Sequence, residues 1–98
     1  MTKGYWIAIY HEVSNPSALA RYAEAATPVL LARGARFLAR GRPTRTYEGG
    51  VGERCVVIEF PSVAQAIATY ESTEYQAVLA IMRDAVKREV RIVPGAET

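Results

Sequence analysis

Arginine in excess and a few isolated proton carriers are the side chains here that could do chemistry on a small molecule. Of the twelve basic residues, only Lys3 and Lys87 are lysine. Arg33, Arg36, Arg40, Arg42 and Arg45 fall in one stretch with no acid among them. Arginine presents a planar fork of donors that suits carboxylates and phosphates; a solvated basic edge is the plainer reading. Glu59 stands among Val57, Ile58 and Phe60. A carboxylate in such company must be paired or protonated. It is therefore either half of an ion pair with Arg40 or Arg36, or an acid or base tuned by burial. His11, the one histidine, is a candidate base near neutral pH or a surface residue at a strand end. Glu59 and His11 are thus the candidate catalytic groups. Cys55 is the one cysteine and reads as a small buried hydrophobe. No cluster has metal-ligand spacing, and the pattern calls for no cofactor. Gly49-Gly50-Val51-Gly52 leads into a strand rather than a helix, so it reads as a turn and not a phosphate loop.

Those residues have to be positioned by short elements. Residues 4–12 are aromatic and β-branched and predict a strand. Asn15-Pro16 predicts a helix start, with Asn as the cap and Pro where no N–H is needed. Leu19, Tyr22, Ala23, Ala26 and Leu30 share one face of that helix. Pro28 should shorten its last turn, and Gly34 should close it. Residues 35–40 predict a second strand, interrupted by Gly41-Arg42-Pro43 and resumed through 44–48 after a bulge. The glycine-rich hairpin follows, then a third strand over 53–60. Ser62-Val63-Ala64-Gln65 has the form of a capping box. The helix it opens should bury Val63, Ala66, Ile67 and Tyr70. Ser72-Thr73 caps another, burying Tyr75, Val78, Leu79, Met82 and Val86. Residues 89–93 predict the last strand, stopped by Pro94-Gly95.

The resulting class is α+β, a ferredoxin-like β-α-β-β-α-β order with the second helical segment in two pieces. Right-handed crossovers give a four-stranded antiparallel sheet in the order 4-1-3-2 with helices on one face. Strands 1 and 3 are expected as a central, parallel pair. Alternation splits each strand in two. Ile7, Ile9, Phe37, Ala39, Val56, Ile58, Phe60, Val90 and Ile92 are expected to meet the helices. Trp6, Ala8, Tyr10, Arg36, Leu38, Arg40, Cys55, Val57, Glu59, Arg91 and Val93 are expected on the open face. That face is too apolar for water. A second copy is the economical cover, which makes a homodimer. Between two such sheets, Arg40 and Arg36 with Tyr10 and Trp6 would line a pocket for a small anionic or aromatic molecule.

The chain of 98 residues, half of them hydrophobic, fits one globular domain over 1–98. No apolar run approaches a membrane span. The start lacks the pattern of a signal peptide. With a lone cysteine, a cytoplasmic setting is the default. Net charge of +2 argues for no particular partner. RNA-recognition domains share this element order, but the third strand, Glu53 to Phe60, lacks their glycine and paired aromatics, so no nucleic-acid partner is expected.

Several motifs together resemble a family. Gly4-Tyr5-Trp6-Ile7, Phe37-Leu38-x-Arg40-Gly41, Glu48-Gly49, Glu59-Phe60-Pro61-Ser62 and Tyr70-x-Ser72-x-x-Tyr75 are similar to one domain-of-unknown-function family of the dimeric α/β-barrel superfamily. The resemblance covers nearly the whole chain. It implies a ferredoxin-like fold and face-to-face dimerisation. Related families include cofactor-free monooxygenases, lactone isomerases and haem-dependent enzymes. The expectation is a dimer that binds a small molecule. It would be a cofactor-independent oxidoreductase or isomerase, with Arg40 holding an anion while Glu59 or His11 moves a proton, or else a non-catalytic binding or regulatory module.

Overall fold

A computed structural model describes residues 2–50 and 53–96. In chain order the elements are β1 (Gly4–Val13), α1 (Pro16–Ala32), β2 (Arg36–Gly41), β3 (Cys55–Phe60), α2 (Val63–Tyr70), α3 (Thr73–Leu79) and β4 (Val86–Pro94). The four strands form one sheet in the order β2-β3-β1-β4. All three pairings are antiparallel, the central β1–β3 pair included. A parallel central pair was the wrong expectation. The crossover through α1 makes β1 and β2 run the same way, and the connection into β3 then reverses the chain. Among the described residues, no helix is long and apolar enough to cross a membrane.

Local chemistry explains the helix ends. The Asn15 side chain accepts from the Ala18 N–H, and Pro16 occupies the first turn. Pro28 lies inside α1 without ending it, and the helix runs on to Ala32. Gly34 then takes φ of 95°, and its N–H meets the Leu31 carbonyl. Ser62 caps α2 by accepting from the Gln65 N–H, but Gln65 does not return the bond. Its amide donates to the Arg33 carbonyl, so half of the expected capping box ties α2 to the end of α1. Ala66 and Thr69 are the buried residues of α2, whereas Ile67 is exposed. Ser72 caps α3 on the Tyr75 N–H.

Three expectations about the strands need correction. First, β1 has the opposite phase. Trp6, Ala8 and Tyr10 are buried under the helices, in register with Ile58 and Val56 of β3 and Ile92, Val90 and Arg88 of β4. Tyr5, Ile7 and Ile9 pair with Glu59, Val57 and Cys55 and occupy the open face. Second, β2 carries its irregularity between Phe37 and Ala39, not at Gly41-Arg42-Pro43. The extra residue moves Ala39 opposite Val57 and Arg40 opposite Val56, so Arg40 turns to the helix side. Residues 44–48 form no strand; Glu48 and Gly49 turn with positive φ, and Val51 and Gly52 of the expected hairpin loop lie outside the described residues. Third, α3 stops at Leu79 and β4 begins at Val86, three residues earlier than the pattern suggested.

Candidate functional site

A cleft lies between α1 and the helix side of the sheet, with a volume of about 30 Å³, room for a water or two and well short of the about 300–1,000 Å³ of small-molecule sites. Its walls are mostly apolar, with Trp6, Ile58 and Phe37 from the sheet facing Ala23, Ala26 and Leu30 from α1. Arg40, Arg54 and Arg88 also line it, and no Asp, Glu or His does among the described residues. The ladder register places these arginines toward one end. Arg88 pairs with Tyr10, the Tyr10 N–H meets the Arg54 carbonyl, and Arg40 pairs with Val56 beside Ala8. Trp6, Ile58 and Phe37 form the next row. The cleft is therefore cationic at one end and aromatic at the other.

Arg88 is held by phenols. One guanidinium nitrogen donates to the Tyr75 hydroxyl at 2.7 Å and another to the Tyr10 hydroxyl at 3.3 Å. The cation also lies 5.5 Å from the Tyr10 ring centre and 5.4 Å from that of Tyr22. The ion pairs among the described residues are His11–Glu89, Arg33–Glu74 and Arg91–Glu89, and none includes Arg88. Burial works against its charge, but the phenol oxygens of Tyr22, Tyr75 and Tyr10 outweigh this and lift its pKa above the ordinary value. Arg88 is thus a buried cation whose hydrogen-bond partners are phenols and not a carboxylate among the described residues.

The Tyr22 and Tyr75 hydroxyl oxygens are 2.6 Å apart, and either can donate to the other. Tyr75 is fully buried and also accepts from Arg88, which has no acceptor to offer. Tyr22 lines the cleft. Tyr10 also lines it and accepts from Arg88, with no partner for its own proton among the described residues. Burial, in the first place, raises the pKa of all three phenols, so they remain donors.

The elements place this cluster by ordinary means. Tyr22 belongs to the buried stripe Ala18, Tyr22, Ala26, Leu30 of α1. Tyr75 is fixed by the Ser72 cap and by the edge of its ring against Trp6, centres 5.0 Å apart. Tyr70 completes the packing, 5.5 Å from Trp6 and 5.3 Å from Tyr75. The Tyr70-x-Ser72-x-x-Tyr75 motif is thus a device for setting one phenol beside Arg88.

Of the residues singled out in the sequence, Trp6, Tyr10 and Arg40 are brought together on this cleft. Arg40 stacks on Phe37, 4.4 Å from the ring centre, and donates to the Thr27 hydroxyl across the mouth at 3.4 Å. Glu59, Arg36 and His11 are not part of it. Glu59 and Arg36 face each other in register on the open side, where Glu59 accepts from the Tyr5 hydroxyl at 3.0 Å. The expected Glu59–Arg40 pair does not form, because the bulge separates their faces. His11 Nε2 lies 2.9 Å from Glu89, whose other oxygen accepts from Arg91 at 2.7 Å; Arg91 first, then His11, holds the Glu89 carboxyl below its ordinary pKa. Arg88 and Arg54 were missed. In Val86-Lys87-Arg88-Glu89-Val90 the charged run reads as solvated. The signal was the alternation Val86, Arg88, Val90, Ile92, which puts Arg88 on a buried strand face. Among the described residues no group of His, Cys, Asp or Glu could hold a metal ion.

Comparison with known proteins agrees with the fold. Residues 3–96 match the model of a family described as a domain of unknown function, DUF1330. No curated protein sequence matches the chain. Solved structures do. A dimeric ferredoxin-like protein of unknown function from Thermobifida fusca superposes with a TM-score of 0.66 at 16% identity, covering 94% of this chain and 90% of that one. A dabb family protein with a ferredoxin-like fold from Mesorhizobium loti gives 0.63 at 15%, covering 100% and 99%. A putative antibiotic biosynthesis monooxygenase from Nitrosomonas europaea gives 0.62 at 18%, covering 97% and 91%. At these identities the likeness is one of fold: the ferredoxin-like, dimeric α/β-barrel type.

Proposed function

The chain belongs to the DUF1330 family, and since that description assigns no reaction, we propose a function from the cleft itself: this protein binds a small anionic molecule with an apolar or aromatic body. The observation that carries the reading is Arg88, a charged guanidinium set among phenols in an apolar cleft with no carboxylate partner among the described residues. The ligand's negative group lies at the arginine end, and its body enters along Trp6 and Phe37 as α1 shifts away from the sheet, since the cleft as it stands holds only about 30 Å³. Arg40, stacked at the mouth, closes over it.

A second reading has a specific support, the likeness to a putative monooxygenase. In it the same cleft acts on its ligand as a cofactor-independent oxidoreductase or isomerase, with Arg88 holding negative charge as it develops. Glu59 and His11 would serve it only from the far side of the sheet. The open face favours a homodimer in either case, since Val93 is exposed there and Ile7, Ile9 and Val57 are only half-buried.

The test is titration calorimetry with benzoate and phenylacetate. The parent should bind, and Arg88→Met should weaken binding at least about tenfold, the worth of one charge-assisted bond. Arg91→Met, on the open side, should leave it unchanged. Failure of both acids to bind, or equal affinity for Arg88→Met, overturns the assignment.

A further inference from the structure

Larger hollows lie where β4 passes α2 and the turn after α3. Among the described residues β4 is an edge strand, paired with β1 alone. Its helix side carries Val86, Arg88, Val90 and Ile92, and the short helices α2 and α3 leave all of them half-buried. One hollow holds about 230 Å³, and its walls include Leu79, Val86, Arg83 and Arg88. The next holds about 300 Å³, and its walls include Ile67, Ile92 and Glu71. Tyr70 and Val90 line both. The larger alone reaches the range of small-molecule sites, about 300–1,000 Å³. Charge is divided along this line. Arg83 and Arg88 stand at one end, and neither is in an ion pair of the described residues. Arg88 uses one N–H of each terminal nitrogen on a phenol, and each of those nitrogens carries another. Glu71 stands exposed at the other end.

We propose that these hollows form one groove that binds a linear aliphatic monocarboxylate, with its carboxylate at Arg88 and Arg83 and its chain along Val90 and Ile92 past Tyr70. This goes beyond the cleft reading: it shares Arg88 with it, but the space is present without any shift of α1, and it takes a long ligand rather than an aromatic one. The length follows from the strand. From Arg88 to Ile92 the backbone advances about 13 Å, at about 3.3 Å per residue. A benzoate-sized body would leave most of that wall uncovered, whereas an extended alkyl chain follows it. The single charge follows from the two ends. Arginine suits a carboxylate, and Glu71 at the far end repels a second one. Between the ends, Tyr70, Val90, Ile67 and Ile92 offer an apolar wall, as a chain without polar groups requires.

The experiment is titration calorimetry with decanoate and decanedioate, with benzoate as the control for the cleft. The parent should bind decanoate, and prefer it to decanedioate by at least about tenfold. Ile67→Glu puts a charge into the apolar wall at an exposed helix position that the fold tolerates. It should weaken decanoate at least about tenfold and leave benzoate unchanged. Glu71→Gln should narrow the preference against the diacid, and Arg83→Gln should weaken decanoate several-fold. No binding of decanoate, equal affinity for Ile67→Glu, or a diacid bound as well as decanoate by the parent each overturns the groove. So does a halving of the particle mass in Ile67→Glu by light scattering, which would make the groove an interface between copies of the chain. The two readings fail separately: benzoate binding that depends on Arg88 and survives Ile67→Glu leaves the cleft standing when decanoate does not bind, and decanoate binding without benzoate leaves the groove alone.

Discussion

At the scale of single residues, Arg88 is a buried cation whose partners are phenols rather than a carboxylate. Those phenol oxygens outweigh burial and favour its charged form, so the fold supports the charge. Arg88→Met keeps the stem and removes the charge. We expect it to melt below the parent and to bind anions more weakly; an unchanged melting temperature would contradict the support the phenols give. The phenols predict a pH dependence as well. Burial raises the pKa of Tyr10, Tyr22 and Tyr75 above the ordinary value near 10. Their contribution to stability is therefore complete below about pH 10, where unfolded tyrosine still holds its proton. It is lost as pH rises further, because the unfolded chain ionises first, at up to about 1.4 kcal/mol per pH unit for each tyrosine. Urea unfolding from about pH 8 to about pH 11 should show a plateau and then a fall, and Tyr75→Phe should make the fall shallower. Unfolding midpoints that stay level to the top of that range would contradict the burial of these hydroxyls.

At the scale of elements, the start of β1 meets the cap of α2. A Cβ on Gly4 would lie 2.6 Å from the Ser62 carbonyl oxygen, which is backbone and cannot swing aside. Gly4→Ala should destabilise by about 1–3 kcal/mol, the usual cost of overpacking. Denaturant unfolding checks this, and an unchanged midpoint would mean that β1 and α2 are not so closely joined. Element order, both helix caps at Asn15 and Ser72, and the sheet order were legible in the sequence because each has a local signature. The phase of β1 was not. Tyr5, Ile7 and Ile9 are as apolar as Trp6, Ala8 and Tyr10, so alternation carries no sign when both faces are apolar. Only the register with β3, Trp6 opposite Ile58, decides it. The bulge after Phe37 has no glycine or proline to mark it, yet it reverses Arg40. The candidate site was half legible for the same reasons: Trp6, Tyr10 and Arg40 were picked out, but for the wrong side of the sheet.

At the scale of the whole molecule, the sheet separates two different surfaces. The helix side holds the cleft; the open side is an apolar field of Ile7, Ile9, Val57 and Val93 with Tyr5–Glu59 and His11–Glu89–Arg91 around it. A second copy covers that field in our account, so light scattering should give about twice 10.8 kDa. Val57→Asp should yield a monomer that still binds the ligand, because the cleft is complete within one chain. A parent that is monomeric at micromolar concentration would contradict the dimer and leave the cleft intact. What decides the central claim is which side of the sheet an anion visits. The Nε–H resonances of the arginine side chains, followed by NMR as benzoate is added, report this directly. The account predicts a large, saturable shift at Arg88, smaller ones at Arg54 and Arg40, and none at Arg36 or Arg91. Shifts confined to Arg36 and Arg91, or no saturable shift at Arg88, would contradict it.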